Sequence, residues 1–454
     1  MTASAPVRRI AVIGAGAAGL VTAREMLRAG LQPTVFEADG DVGGIWRYTH
    51  ETETDPLGQV GTHIHGSLYA SLRTNLPRDL MAFTDFPFEA RRPVGSDGRP
   101  DGKEGTDELP RFPGHAAVQG YLQHFAEHFG LQPHIRFGTR VRAVRASTSA
   151  DGPLPMHWQL TSATDREPQA LHTEAFAAVA ICNGHYSAPR VPPLPGEATF
   201  PGRRMHSHNY REPAPFAGLT VALWGMSASG NDLARELSAV ARRVYWCGAG
   251  TPLLNAAPPS QPGDVLQRRG EVAGLGSDGR VQLADGTFTE PVDVFVYCTG
   301  YHYRYPFLDD DLLRVDDNFV QPLYRDLLHC EHDTLALVGV PFRVVPFPLF
   351  EVQARYLARL WSGGFQAPPS VTRFAALGAR WKALRDAGVK QRLWHQRTID
   401  CYDYLDELAD EAGVTRVPDW HRQLNRAFSA HVQRTPGNYR DVAFPLVARE
   451  PGVR

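Results

Sequence analysis

The sequence predicts an α/β protein built on two Rossmann-like dinucleotide-binding units, and three observations carry that expectation. A glycine turn, Gly14-Ala-Gly16-Ala-Ala-Gly19, follows a β-branched run and precedes a helical one. A second turn, Gly225-Met-Ser227-Ala-Ser229-Gly230, stands in the same strand-turn-helix context far downstream. The chain, at 454 residues, is long enough for two or three domains with a sizeable core.

Each element of the first unit has a local reason. Arg9-Ile-Ala-Val-Ile13 reads as a strand, and Leu20 to Arg28 as a helix with Leu20, Ala23 and Leu27 on one face. Gly30 ends that helix, and Pro33-Thr-Val-Phe-Glu37 reads as the next strand. Gly14 permits the tight turn, Gly16 lets backbone N–H groups approach a pyrophosphate, and Gly19 lets helix and strand pack closely. The helix N-terminus adds the positive end of its dipole. Glu37 closes the second strand, 23 residues after Gly14, where an acid accepts hydrogen bonds from ribose hydroxyls.

The second unit runs through Leu219-Thr-Val-Ala-Leu-Trp224, the turn, a helix from Asn231 to about Val240 and a strand from Arg243 to Trp246. Ser227 replaces the middle glycine, which weakens the signal. A small residue still allows close approach, and Ser227 or Ser229 is a hydrogen-bond donor. Residues 135–182 and 271–299 alternate short apolar runs with turn signals and read as hairpins. Residues 89–109 read as a long mobile surface loop, and Pro189 to Pro195, with four prolines, as a connector. Helical spacing of Tyr356, Leu357 and Leu360, then of Tyr402, Leu405 and Leu408, predicts a helical C-terminal portion.

Composition limits the function. Lys and Arg number 47 against 49 Asp and Glu, a net charge of −2, which disfavours nucleic-acid and anionic-membrane partners. No stretch has the length of a membrane span and no signal core opens the chain. The five cysteines (182, 247, 298, 330 and 401) form no C-x-x-C pair, so neither a disulfide framework nor a thiolate metal site is expected. A soluble cytoplasmic protein is the expectation. His124-Phe-Ala-Glu127-His128 spells the inverted zinc-hydrolase motif, but no third ligand stands in recognisable context, so no metal is assigned.

Two dinucleotide sites in one chain imply a flavin and a nicotinamide meeting at a domain interface. After the strand at Arg243 comes Cys247-Gly-Ala-Gly250, with no acid to repel a 2′-phosphate, and Arg211, Arg242 and Arg243 are candidate phosphate donors. NADPH is favoured, with NADH as the alternative.

Further motifs resemble the flavin-containing monooxygenases. Phe200-Pro-Gly202-Arg-Arg-Met-His206-Ser-His-Asn-Tyr210 matches that family's pattern F-x-G-x-x-x-H-x-x-x-(Y/F), in which the related Baeyer–Villiger enzymes carry Trp at the last position. Gly43-Gly44-Ile-Trp46, Tyr69-Ala-Ser-Leu-Arg-Thr-Asn75-Leu-Pro77, Asp85-Phe-Pro-Phe88 and Phe112-Pro-Gly-His115 are similar to the family's. So are Asn183-Gly-His-Tyr-Ser-Ala-Pro189, Tyr297-Cys-Thr-Gly-Tyr301, Pro346-Phe-Pro-Leu-Phe350 and Tyr402-Asp-Tyr-Leu405. The late segments look most like soluble plant and microbial members, including S-oxygenases.

The resemblance implies an FAD domain, residues 1–188 and 298–454, interrupted by a smaller NADP domain, residues 189–297. NADPH reduces FAD, O₂ adds at the flavin C4a to give a hydroperoxide, and a soft nitrogen or sulfur nucleophile of a small amine or sulfide takes the distal oxygen. Asn75 is the implied catalytic residue, lying beside the adduct. Cofactor contacts are implied for Gly44, Trp46, Tyr69, Val141, Pro189, His206, Tyr210 and Arg211, besides the glycine turns and Glu37. His206 is expected to be structural or cofactor-orienting. Ser227, Cys298 and the missing arginine after the second-unit strand depart from the family pattern and bear on coenzyme preference. Baeyer–Villiger oxygenation of ketones is disfavoured by Tyr210, and a disulfide reductase by the absence of C-x-x-C. A nucleotide-holding redox sensor is the non-enzyme alternative, and a homodimer is one outcome for the oligomeric state.

Overall fold

A computed structural model of the chain describes residues 8–60, 64–88, 109–147, 157–249, 263–435 and 437–444. All but the last residue of the expected loop at 89–109 lies outside the described residues.

Strand β1 (Arg9–Ile13), helix α1 (Ala17–Arg28) and strand β2 (Gln32–Phe36) form the first unit, with β1 and β2 parallel and Ile13 opposite Phe36. Helix α1 begins earlier than Leu20 because Ala17, Ala18 and Gly19 are too small to show in an apolar pattern. Side chains alternate along β1: Ile10 and Val12 join the core under α1, while Ala11 and Ile13 join the opposite one. After helix α2 (His115–His128), strand β3 (Ile135–Arg136) pairs with β2. The alternating stretch that follows is a separate antiparallel sheet of β4 (Thr139–Ser147), β5 (His157–Thr164) and β6 (His172–Phe176). Its Val144, Trp158, Leu160 and Phe176 cover the second face of the main sheet. Strand β7 (Ala178–Ile181) then pairs with the other edge of β1.

Beyond β8 (Ala188–Pro189) the chain builds a second sheet from β9 (Arg203–His206), β10 (Thr220–Trp224), helix α3 (Ala228–Leu237), β11 (Arg243–Cys247) and β12 (Leu266–Arg269). A hairpin of β13 (Val272–Leu275) and β14 (Val281–Leu283) precedes β15 (Val294–Tyr297). The sheet order is β12-β11-β10-β15-β9, all parallel. Val221 and Leu223 pack under Leu233 and Leu237 of α3, whereas Ala222 and Tyr245 pack on Val272 and Val281 of the hairpin.

The return strand β16 (Tyr301–His302) pairs antiparallel with β8, so the outgoing and returning connections are zipped together. A hairpin of β17 (Arg314–Asp316) and β18 (Phe319–Gln321) leads to β19 (Leu323–Tyr324), β20 (Leu328–His329) and β21 (Leu335–Leu337). These last three complete the first sheet in the order β19-β20-β21-β7-β1-β2-β3, so that sheet draws strands from both sides of the second one. Both glycine turns consequently stand at the carboxyl ends of central parallel strands, where α/β sheets bind ligands.

The C-terminal portion is helical, as expected: α4 (Pro346–Trp361), α5 (Ser370–Asp386), α6 (Cys401–Ala412) and α7 (Asp419–Arg434). Helix α4 is tied to α1 through the core, where buried Arg24 meets Glu351 Oε1 at 3.0 Å and Asp85 Oδ1 at 2.8 Å. Removing one partner of such a buried pair costs about 3–5 kcal/mol, because the other charge stays behind unpaired. Among the described residues, no helix is long and apolar enough to cross a membrane.

Candidate functional site

The first turn is shaped by two steric requirements. Gly14 has φ +104°, and a Cβ there would lie 2.6 Å from the Cys182 carbonyl oxygen at the end of the neighbouring β7 connection. A Cβ on Gly19 would lie 1.8 Å from the Gly14 carbonyl oxygen. Gly43 N–H donates to the Ala15 carbonyl at 3.1 Å, which brings the Gly43-Gly44 loop over the turn. A Cβ on Gly44 would then stand 3.0 Å from the Gly16 Cα, so two bare backbones face each other across a narrow gap. That cradle suits a pyrophosphate, with the unpaired N–H groups of the α1 N-terminus beneath it. Trp46 follows on the same short 3₁₀ turn and packs on the main core.

Glu37 is buried beside this turn. Its Oε2 accepts the Ala15 N–H at 2.6 Å and its Oε1 the Asp39 N–H at 2.8 Å. Burial raises its pKa, and those two backbone donors hold the rise back. The carboxylate is fixed across the ends of β1 and β2 with lone pairs left for ribose hydroxyls. Val141 lies nearby on β4, with its side chain buried among Ile13 and Phe36 and a register shift bending the strand there.

The second turn repeats these demands. Gly225 has φ +140°, and a Cβ there would meet the Cys298 carbonyl oxygen at 2.2 Å. On Gly230 it would meet the Gly225 carbonyl oxygen at 1.9 Å. Ser227, at the middle position, is the N-cap of α3, and its carbonyl accepts the Asn231 N–H at 2.9 Å. Ser227 and Ser229 are half-buried, with hydroxyls at the helix N-terminus. The steric need falls on the first and third positions of the turn, and both are glycine.

Several residues expected at the cofactors make hydrogen bonds within the protein. The buried Arg211 guanidinium donates to the carbonyls of Thr49, Glu51, His208 and Tyr210 at 2.7–3.1 Å. Arg242 and Arg243 stand at the start of β11, bonded to Thr220 and paired with Glu290, at the opposite end of the sheet from the glycine turn. His206 is fully buried with both ring nitrogens engaged. Its Nδ1 accepts the His208 N–H at 3.0 Å, so its Nε2 carries the proton and donates to the Gly300 carbonyl at 3.0 Å. Burial lowers its pKa to about 3, so it is neutral in ordinary buffers and has no free nitrogen for a cofactor. Tyr210 donates to Glu236 Oε2 on α3 at 2.5 Å, and Tyr69 to Asp232 Oδ2 on the same helix at 2.5 Å. Pro189 is buried opposite Tyr301 where β8 and β16 cross between the sheets.

Asn75 sits exposed on the loop that Tyr69 anchors. Arg73 holds this loop by donating to the carbonyls of Phe112 and Arg440, at 3.1 and 2.9 Å. The C-terminal Tyr439 hydroxyl donates to the Asn75 carbonyl at 3.4 Å, and Arg440 grips Asp232 with two bonds at 2.9 and 3.1 Å. One buried ion pair thus links the chain's C-terminal segment, the Asn75 loop and the helix that carries the second turn. Neither Arg440 nor Asp232 is singled out by the sequence, since the pair spans 208 residues.

Glu271 carries no motif signal in the sequence. Its Oε2 accepts the Ala249 N–H at 2.6 Å and its Oε1 the Trp224 indole N–H at 2.8 Å, at the carboxyl edge of the second sheet. The motif histidines His124 and His128 on α2 both pack against Phe86, at 5.2 and 5.1 Å between ring centres. All five cysteines are free and buried, and burial pushes the Cys182 and Cys298 thiols up to about 12.

Comparison with known proteins agrees with this arrangement. The flavin-binding monooxygenase-like family model matches residues 7–269 and 264–420. The flavin-containing monooxygenase FMO GS-OX-like 4 of Arabidopsis thaliana is 39% identical over 446 residues, covering 96% of this chain and 94% of that protein. The structure of S-allyl-L-cysteine S-oxygenase from Allium sativum superimposes with a TM-score of 0.84 at 37% identity, over 96% of this chain and 95% of that one. Tmm from Pelagibacter sp. strain HTCC7211 shares the fold at 22% identity, with a TM-score of 0.76 over 96% of this chain and 93% of its own.

Proposed function

The chain belongs to the flavin-binding monooxygenase-like family, whose members bind FAD and use NADPH, and from that premise we propose that it oxygenates a soft sulfur or nitrogen atom of a small molecule. Sulfur is the first expectation. The observation that carries it is the likeness along nearly the whole chain to an S-allyl-L-cysteine S-oxygenase. Tyr210, standing where the Baeyer–Villiger enzymes have Trp, supports a heteroatom over a ketone.

In this reading residues 1–188 and 298–454 form the FAD domain and residues 189–297 the NADP domain. The Gly14–Gly19 turn, Gly44 and Glu37 hold FAD, and the Gly225–Gly230 turn with Ser227 and Ser229 holds the nicotinamide coenzyme. Bound there, FAD would supply two-electron redox chemistry and the activation of O₂ for transfer of one oxygen atom. The protein's part is binding, orientation and exclusion of water. Arg211 ties the second unit to the Thr49–Glu51 stretch of the first, and Asn75 is presented toward the reacting centre on a loop held from both domains. No side-chain nucleophile is required.

The test is a panel of thioethers and tertiary amines supplied with NADPH and air, with products identified by mass spectrometry. Sulfoxide is expected in step with NADPH consumption. NADPH oxidation without an oxygenated thioether or amine would overturn the proposal.

A further inference from the structure

The two units are related strand for strand. Ile13 pairs with Phe36 in the first and Trp224 with Cys247 in the second, so Gly248 occupies the place of Glu37. Gly248 brings no carboxylate, and a Cβ there would meet Met226 Cγ at 2.9 Å. The position is nevertheless not without an acid. Gly248 N–H donates to the Gly270 carbonyl at 3.0 Å, which sets the turn after β12 against the exit of β11. The next residue, Glu271, reaches back across that exit. Its carboxylate bridges Trp224, the last residue of β10, and Ala249, two residues past β11. Glu37 likewise takes two N–H donors in the first unit, both from backbone, Ala15 after β1 and Asp39 after β2, whereas Glu271 takes one backbone donor and the Trp224 indole. Arg269, on the neighbouring strand, lies 5.6 Å over the Tyr245 ring and donates to Gln267 at 2.5 Å.

We propose that Glu271 is the ribose-reading acid of the second unit, supplied from the adjacent strand, and that it narrows the protein's preference for NADPH over NADH. A carboxylate fixed by two donors at that edge accepts the hydroxyls of the adenosine ribose of NAD(H). It repels the 2′-phosphate of NADP(H), and Arg211, Arg242 and Arg243 are committed elsewhere. The proposal rests on the second turn holding the nicotinamide coenzyme.

The test is equilibrium binding of NADP⁺ and of NAD⁺ to the FAD-loaded protein by titration calorimetry. Wild type is expected to bind the two within about tenfold of each other, and a preference for NADP⁺ of about a thousandfold would overturn the proposal. Glu271→Gln keeps an acceptor for Trp224 or Ala249 while removing the charge. It is expected to tighten NADP⁺ and weaken NAD⁺, moving their ratio by roughly tenfold. A carboxylate that only props the turn would move both affinities by one factor, and that result, or no change, would overturn the assignment. Because the readout is binding, its failure is distinct from failure of oxygen transfer, which shows as absence of oxygenated product.

Discussion

Gly19→Ala is expected to yield protein that carries no flavin, and Gly230→Ala protein that is yellow but not bleached by NADPH under nitrogen. In each case the added methyl carbon falls inside the carbonyl oxygen of the turn's first glycine, at 1.8 and 1.9 Å. Both atoms belong to backbone, so no rotamer change relieves the overlap, and the helix must back away from the strand it packs on. The same displacement opens the phosphate cradle. The two variants separate the sites because each glycine serves one turn. Flavin absorbance after desalting and anaerobic titration with NADPH check both outcomes. A Gly230→Ala protein that loses flavin, or one reduced as fast as wild type, would contradict the division of labour.

Asn75→Ala is expected to keep FAD, keep NADPH oxidation and release as hydrogen peroxide most of the oxygen that wild type puts into product. The side chain is exposed and its loop is held by Arg73, Tyr69 and Tyr439, so truncation should change stability by no more than about 0.5 kcal/mol. An effect on coupling would therefore be chemical and not a collapse of the loop. The measurement is product and peroxide per NADPH consumed, alongside thermal unfolding. Unchanged coupling would remove Asn75 from the reacting centre.

The parts of this fold that were legible in the sequence are those decided locally. Both glycine turns, their flanking strands, the alternating hairpins and the C-terminal helices follow from spacing within a few residues. Helices α1 and α3 start earlier than their apolar pattern suggests, since Ala17-Ala-Gly19 and Ala228-Ser-Gly230 are silent in hydrophobic periodicity. Ser227 weakened the second turn on paper, yet the close contacts fall on Gly225 and Gly230, where a side chain has no room.

What could not be read was which partner a polar residue would find. Arg211 offers guanidinium donors to a phosphate or to carbonyls with equal chemical sense, and only the tertiary fold brings up the carbonyls of Thr49 and Glu51. The acceptors of His206 and Tyr210, the Gly300 carbonyl and Glu236, were likewise not legible in the sequence. Glu271 escaped because a motif follows one strand, whereas this acid arrives from the strand beside it. The Arg440–Asp232 pair escaped because nothing local links a C-terminal arginine to a helix 208 residues earlier.

The proposed function requires that the two turns bring a flavin and a nicotinamide together so that one atom of O₂ reaches a thioether sulfur. It is tested most directly by supplying isotopically labelled O₂ in unlabelled water, with NADPH and a thioether, and weighing the sulfoxide formed. One labelled oxygen is expected in each sulfoxide, with the label retained in the presence of catalase. Sulfoxide oxygen drawn from water, or product that vanishes when catalase removes free peroxide, would contradict it.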